Sequence, residues 1–154
     1  MMNLRYKFSE IICTVFYIGK LPLAPGTFGS FAALICWFLI KPYVSDPLFL
    51  LINGGIFFLG IACSEIIVST DNVKDPQFIV IDEWVGMWIG LYLVEHNFFW
   101  GLASFFCFRI FDIFKPGPIG EMDKMDGGIG VMMDDVVAGI LTCLLMQSLS
   151  HVAL

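Results

Sequence analysis

Charged residues divide the chain into long apolar intervals. Lys20 and Lys41 bracket 20 residues without Asp, Glu, Lys or Arg, and Asp46 and Glu65 bracket 18. Residues 136–154 form a third such interval. A helix needs about 20 apolar residues to cross a hydrocarbon core. Glu83 and Glu95 bracket only 11 residues, and Glu95 and Arg109 only 13. These two intervals cross only if their helices also carry the flanking charges at one end. The pattern predicts helices near 24–40, 47–69, 79–95, 97–114 and 134–151. Helix breakers fall between them: Pro22, Pro25 and Gly26, then Pro42 and Pro47, then Asp75-Pro76, then Pro116-Gly117-Pro118. A further apolar run, Ile11–Gly19, follows Arg5 and Lys7. The Lys20-Leu-Pro-Leu-Ala-Pro stretch after it is a poor signal-peptidase site, so residues 4–19 read as a retained helix lying along the membrane interface. The expected fold is all-α, a membrane bundle of about four to five hydrophobic helices. It is read as one domain over 1–154, with an interfacial segment at 1–20 and a helical core at 21–154.

Basic residues orient this bundle. With the N-terminus cytoplasmic, Arg5, Lys7, Lys20, Lys74, Arg109, Lys115 and Lys124 share the cytoplasmic side, and only Lys41 of the eight basic residues falls outside. Gly86 and Gly90, and Gly29 and Ala33, have the small-x-x-x-small spacing that lets helix backbones approach closely in lipid.

Composition sharpens the picture. Apolar residues are 58% of the 154 and charged residues 14%, against roughly 45–50% and 25% in a soluble domain. The net charge of −6 and the absence of a basic stripe exclude nucleic acid as a natural partner. The five Cys have no metal-ligand spacing and lie in apolar stretches, as small buried hydrophobes do.

The remaining charge is concentrated on the predicted cytoplasmic side. Asp82, Glu83, Arg109, Asp112, Asp134 and Asp135 all adjoin apolar helix. Each costs about 2.5–3.5 kcal/mol at a helix centre, on the order of 15–20 kcal/mol for the six. They must therefore lie near the interface and be compensated. Arg109, Asp112 and Lys115 step by three and share a helix face. Five carboxylates against Arg109 and Lys115 leave excess negative charge. A divalent cation would neutralise it, and oxygen-only ligands favour Mg²⁺. The Pro25-Gly-Thr-Phe-Gly-Ser30 turn offers free N–H groups and hydroxyls, Thr27 among them, that suit an anion. Asp126-Gly127-Gly128 reads as a turn whose glycines also admit close approach of a phosphate. Asp75 is a secondary candidate.

Several chemistries are excluded. The two His, at 96 and 151, lie in an outer link and the tail, away from the acidic segments. No Cys is followed six positions later by Arg, and neither D-x-D-x-T nor G-x-x-x-x-G-K-[ST] occurs. What remains fits Mg²⁺-assisted phosphoryl chemistry at a membrane surface.

Four segments, Pro25-Gly-Thr-Phe-Gly-Ser30, Val80-Ile-Asp-Glu-Trp-Val-Gly86, Phe108-Arg-Ile-Phe-Asp-Ile-Phe-Lys-Pro116 and Gly127-Gly-Ile-Gly-Val-Met-Met-Asp-Asp-Val-Val-Ala-Gly139, closely resemble the phosphatidylglycerophosphatase A family. The resemblance runs from about Gly19 to the C-terminal helix. It implies an all-α enzyme of the bacterial inner membrane that uses Mg²⁺ to remove the terminal phosphate of phosphatidylglycerophosphate, giving phosphatidylglycerol. In that reading Asp82, Glu83, Asp112, Asp134 and Asp135 supply metal ligands and a base. Arg109 and Lys115 bind phosphate oxygens, with Thr27, Gly127 and Gly128 assisting. Two rivals use similar residues. A small cation channel or transporter would run ions past the same carboxylates. A CDP-alcohol phosphotransferase would need D-G-x2-A-R…G-x3-D-x3-D, and Gly-Ile-Gly follows Asp126-Gly127 instead. Oligomeric state is not legible in the sequence.

Overall fold

The computed structural model describes residues 4–153, with side chains through His151. Among the described residues are seven α-helices: α1 (Leu4–Cys13), α2 (Pro25–Ile40), α3 (Asp46–Asp71), α4 (Ile81–Gly90), α5 (Phe98–Phe114), α6 (Pro118–Met122) and α7 (Gly127–Ala153). There is no strand among the described residues, as the sequence pattern predicts. Local chemistry sets most ends. Pro25 opens α2 after a left-handed Ala24 (φ 48°), and its fixed φ and missing N–H suit a first turn. Asn97 caps α5 by accepting the Phe99 N–H at 2.8 Å. Lys115, left-handed at φ 45°, closes α5 just before Pro116.

Three helices depart from expectation. The one expected over 4–19 ends at Cys13, because Val15, Phe16 and Tyr17 turn left-handed at φ 46°, 54° and 69°. The helix expected at 79–95 covers only Ile81–Gly90, because Val80 is not helical and Leu93 turns left-handed at φ 60°. The helix expected to open at 134 opens at Gly127 instead. Its N-terminus is held from a distance: the Gly128 N–H donates to the Glu65 carboxylate of α3 at 2.6 Å. A carboxylate there satisfies a donor that the helix leaves free and complements its dipole. Asp134 and Asp135 therefore sit about two turns inside α7 rather than at its start. The five-residue α6 was not anticipated.

Helix length supports two membrane-crossing elements. They are α3, at 26 residues, and the Gly127–His151 part of α7, at 25. At 1.5 Å per residue α4 spans only about 15 Å, and α2 and α5 about 24–26 Å, short of a hydrocarbon core of about 30 Å. The expected count of four to five spans is therefore not confirmed. The outer face of α3 is apolar and open, with Leu51 72% and Phe58 71% exposed.

The bundle is centred on α4. One core cluster gathers Leu34, Trp37, Phe49, Met87, Trp88 and Phe108. Another gathers Cys13, Cys63, Ile67, Val80, Val85 and Met132. All five Cys are free thiols. The indole of Trp88 donates to the Ala33 carbonyl at 3.0 Å, tying α4 to α2. Where α4 meets α7 the backbones nearly touch. A Cβ on Gly86 would lie 2.5 Å from the Asp135 carbonyl oxygen, and one on Gly139 would lie 2.3 Å from the Gly86 carbonyl oxygen. The small-residue spacing at Gly86 and Gly90 is thus the seam against α7, with Thr142 facing Gly90.

Candidate active site

The close α4–α7 seam has a chemical consequence. It brings Asp82 and Glu83, in the first turn of α4, against Asp134 and Asp135 of α7. The end of α5 adds Arg109 and Asp112, and Lys115 follows just beyond it. The first turn of α2 and the 72–80 loop close the ring. The result is a cavity of about 370 Å³, bordered by Pro25, Gly26, Asp75, Gln77 and these seven residues. Gly26 is what makes room for it. A Cβ there would lie 1.9 Å from Glu83 Oε1 and 3.3 Å from Arg109 Nη1.

Cations hold one side of the ring. Arg109 Nη1 donates to Asp112 Oδ2 at 2.6 Å and to the buried Ser30 hydroxyl at 3.2 Å. Ser30 in turn donates to the Gly26 carbonyl at 2.8 Å. Lys115 Nζ lies 2.7 Å from Asp134 Oδ2 and also pairs with Asp123. Burial alone would lower the Lys115 pKa, but the Asp123 and Asp134 carboxylates outweigh it and hold the ammonium charged well above its usual range.

Among the described residues, Asp82, Glu83 and Asp135 have no such ion pair. Oxygens of Asp82, Glu83 and Asp135 lie within 4.8 Å of one another, as do oxygens of Asp112, Asp134 and Asp135. Burial, reinforced by Glu83 and Asp135, pushes the Asp82 carboxyl well above its usual range. Burial likewise pushes Glu83 up to about 7, opposed in part by hydrogen bonding from Asp82 and by Arg109. Three buried polar atoms of the ring, Glu83 Oε2, Asp135 Oδ1 and Arg109 Nε, have no hydrogen-bond partner. Buried polar groups are nearly always satisfied. The unpaired oxygens, the all-oxygen donor set and the mutual repulsion together fit a hard divalent cation.

The structure thus brings together Asp82, Glu83, Arg109, Asp112, Lys115, Asp134 and Asp135, with Asp75 at the rim. Thr27, Gly127 and Gly128 do not border the cavity. Thr27 is half-buried on α2. The Gly128 N–H is taken by Glu65, and a Cβ on Gly128 would lie 2.3 Å from the Ile61 carbonyl oxygen, so this glycine serves helix packing. Ser30 and Gly26 were legible only as parts of a turn. Their link to Arg109 joins positions 79 residues apart, and Gln77 carries no sequence signal.

An all-helical bundle whose carboxylates face an arginine and a lysine across one cavity holds the donor set that phosphoryl chemistry uses. Comparison with known proteins places it further. Residues 11–150 match the family model for phosphatidylglycerophosphatase A, and the chain belongs to that family. It is 35% identical to phosphatidylglycerophosphatase A of Escherichia coli, covering 92% of this chain and 83% of the relative. It is 34% identical to the Haemophilus influenzae protein of the same name, covering 92% and 88%. A Bacteroides thetaiotaomicron relative named "Putative phosphatidylinositol-3-phosphatase" is 37% identical, covering 88% and 89%. No solved structure matches the chain.

Proposed function

We propose that this enzyme hydrolyses the terminal phosphate of phosphatidylglycerophosphate, with Mg²⁺, to give phosphatidylglycerol and inorganic phosphate. The observation that carries the proposal is the cavity itself: a cluster of unpaired, buried carboxylate oxygens facing Arg109 and Lys115 across one space. Exposed apolar residues stand next in sequence to its border. Leu23, Ile113 and Phe114 are 86%, 65% and 76% exposed and adjoin the bordering residues Ala24, Asp112 and Lys115. Such a rim accepts acyl chains while the cavity takes a phosphorylated headgroup. The names of the Escherichia coli and Haemophilus influenzae relatives supply the substrate.

Asp82, Glu83, Asp112, Asp134 and Asp135 would hold Mg²⁺, which when bound polarises a phosphoryl oxygen and acidifies water. Arg109 presents a planar fork to the phosphate and Lys115 a point charge. Ser30 and Asp112 fix the guanidinium so that its orientation need not be established during the reaction. Carboxylates of the ring accept the proton of the attacking water and return it to the glycerol oxygen as its bond to phosphorus breaks. The reaction is placed at the cytoplasmic face of the bacterial inner membrane, where the excess of basic residues would lie.

Purified protein in detergent, incubated with short-chain phosphatidylglycerophosphate, should release phosphate in Mg²⁺, stop in EDTA and recover on re-addition of Mg²⁺. Asp134→Asn should abolish release while the protein stays in the membrane fraction. Turnover indifferent to chelation would remove the cation from the mechanism. Faster release from phosphatidylinositol 3-phosphate would move the substrate to the lipid in the Bacteroides relative's name.

A further inference from the structure

The acidic ring is not one cluster but two that meet at a single residue. Asp82 and Glu83 of α4 group with Asp135, and Asp112 of α5 and Asp134 of α7 group with Asp135. Only Asp135 belongs to both. It is 97% buried, being 3% exposed, and it borders the cavity. Its Oδ1 has no hydrogen-bond partner. From this geometry we infer that the cavity holds two divalent cations, bridged by the Asp135 carboxylate. The inference rests on the cation-assisted reading above and adds the number of ions and the residue they share.

Three observations support two ions over one. A Mg²⁺–oxygen contact is about 2.0–2.1 Å, so oxygens on opposite sides of one ion are separated by little more than 4 Å. The five carboxylates do not form one group within 4.8 Å; they form two. The second group also keeps free oxygens. Arg109 takes Oδ2 of Asp112 and Lys115 takes Oδ2 of Asp134, which leaves an oxygen on each for a cation. Charge points the same way. Five carboxylates against two basic side chains leave three negative charges, before Asp123 claims part of Lys115. One divalent ion leaves the ring negative, and a phosphate monoester dianion would enter against repulsion. Two ions leave it slightly positive, so the dianion is attracted.

Mn²⁺ alone reads this out without turnover. Purified protein in detergent, equilibrated with Mn²⁺ and desalted, should carry two Mn²⁺ per chain and show a spin-coupled paramagnetic spectrum. Asp112→Asn should carry one Mn²⁺ and give the six-line pattern of an isolated ion. Asp135→Asn should lose the coupling. A single uncoupled Mn²⁺ in the unaltered protein, or two in Asp112→Asn, would overturn the inference. If Asp135→Asn fails to fold, judged by circular dichroism, the unaltered protein and Asp112→Asn still decide. Phosphate release measured in parallel separates the two claims. One Mn²⁺ with normal release rejects the ion pair and keeps the enzyme, whereas two Mn²⁺ without release from any phospholipid does the reverse.

Discussion

Replacing Gly86 with Ala should damage the site through the backbone alone. The added methyl would lie 2.5 Å from the Asp135 carbonyl oxygen, 2.7 Å from Phe108 Cε2 and 2.9 Å from the Asp135 carbonyl carbon. Ordinary contact begins near 3.4 Å, and two of these neighbours are backbone that cannot swing aside. Helices α4 and α7 must therefore part by about 1 Å. Overpacking of this kind costs about 1–3 kcal/mol, and the helix-propensity gain of Ala over Gly offsets about 1 kcal/mol. The net is a loss of up to about 2 kcal/mol, or a few degrees in Tm. Activity should suffer more. The displaced atoms belong to Asp135, and misplacing catalytic groups by about 1 Å costs on the order of 100-fold. Gly54→Ala is the control, because nothing lies within 4 Å of its added Cβ. Phosphate release and thermal unfolding would be measured for both variants in one detergent. Gly86→Ala with the activity and Tm of the unaltered protein would refute the close-contact argument, whatever Gly54→Ala does.

Three further outcomes are expected. Arg109→Lys keeps the charge but loses the fork and the Ser30 contact, so kcat/KM for phosphate release should drop by about 100-fold or more; near-normal kinetics would make Arg109 structural. Glu65→Ala leaves the Gly128 N–H without its acceptor and should lower Tm through a loss of about 0.5–2 kcal/mol. Glu65→Gln keeps an acceptor and should lose less, and equal losses would reject the cap. Without divalent cations, stability should fall as pH rises. Glu83 moves from its ordinary 4.5 to about 7 in the folded protein, so the folded state binds more protons across that window. The stability this group contributes is present below about pH 4.5 and lost by about pH 7, worth roughly 3 kcal/mol. Thermal unfolding in EDTA at pH 5 and 7.5 measures it. Glu83→Gln should flatten the difference, and a Tm that rises with pH would contradict the buried, uncompensated carboxylate.

Much of this was legible because it is local. The uncharged intervals marked the apolar helices. Pro25, Pro47 and the Pro116-Gly117-Pro118 break marked their ends to within a few residues. The charge excess pointed to one side of the bundle, since carboxylates beside apolar helix need compensation wherever the helix packs. The expectations that missed have nonlocal causes. The start of α7 was read seven residues late because its cap, Glu65, lies 63 residues away. Gly127 and Gly128 were read as phosphate ligands because glycine signals close approach without saying to what, and here the close approach is to α3. Thr27 was read as facing an anion because the turn offers donors, but the same turn contributes Gly26 and Ser30 to the site instead.

The sequence by itself determined an all-helical, strongly apolar chain with a surplus of carboxylates, because periodicity, apolar length and charge count are properties of residues in order. Only the tertiary structure decided that Asp135 stands between two acidic groups and that Arg109 is held by Ser30. Those relations depend on how closely α4 and α7 approach. That distance is set by backbone meeting backbone at Gly86 and Gly139, which no single segment encodes.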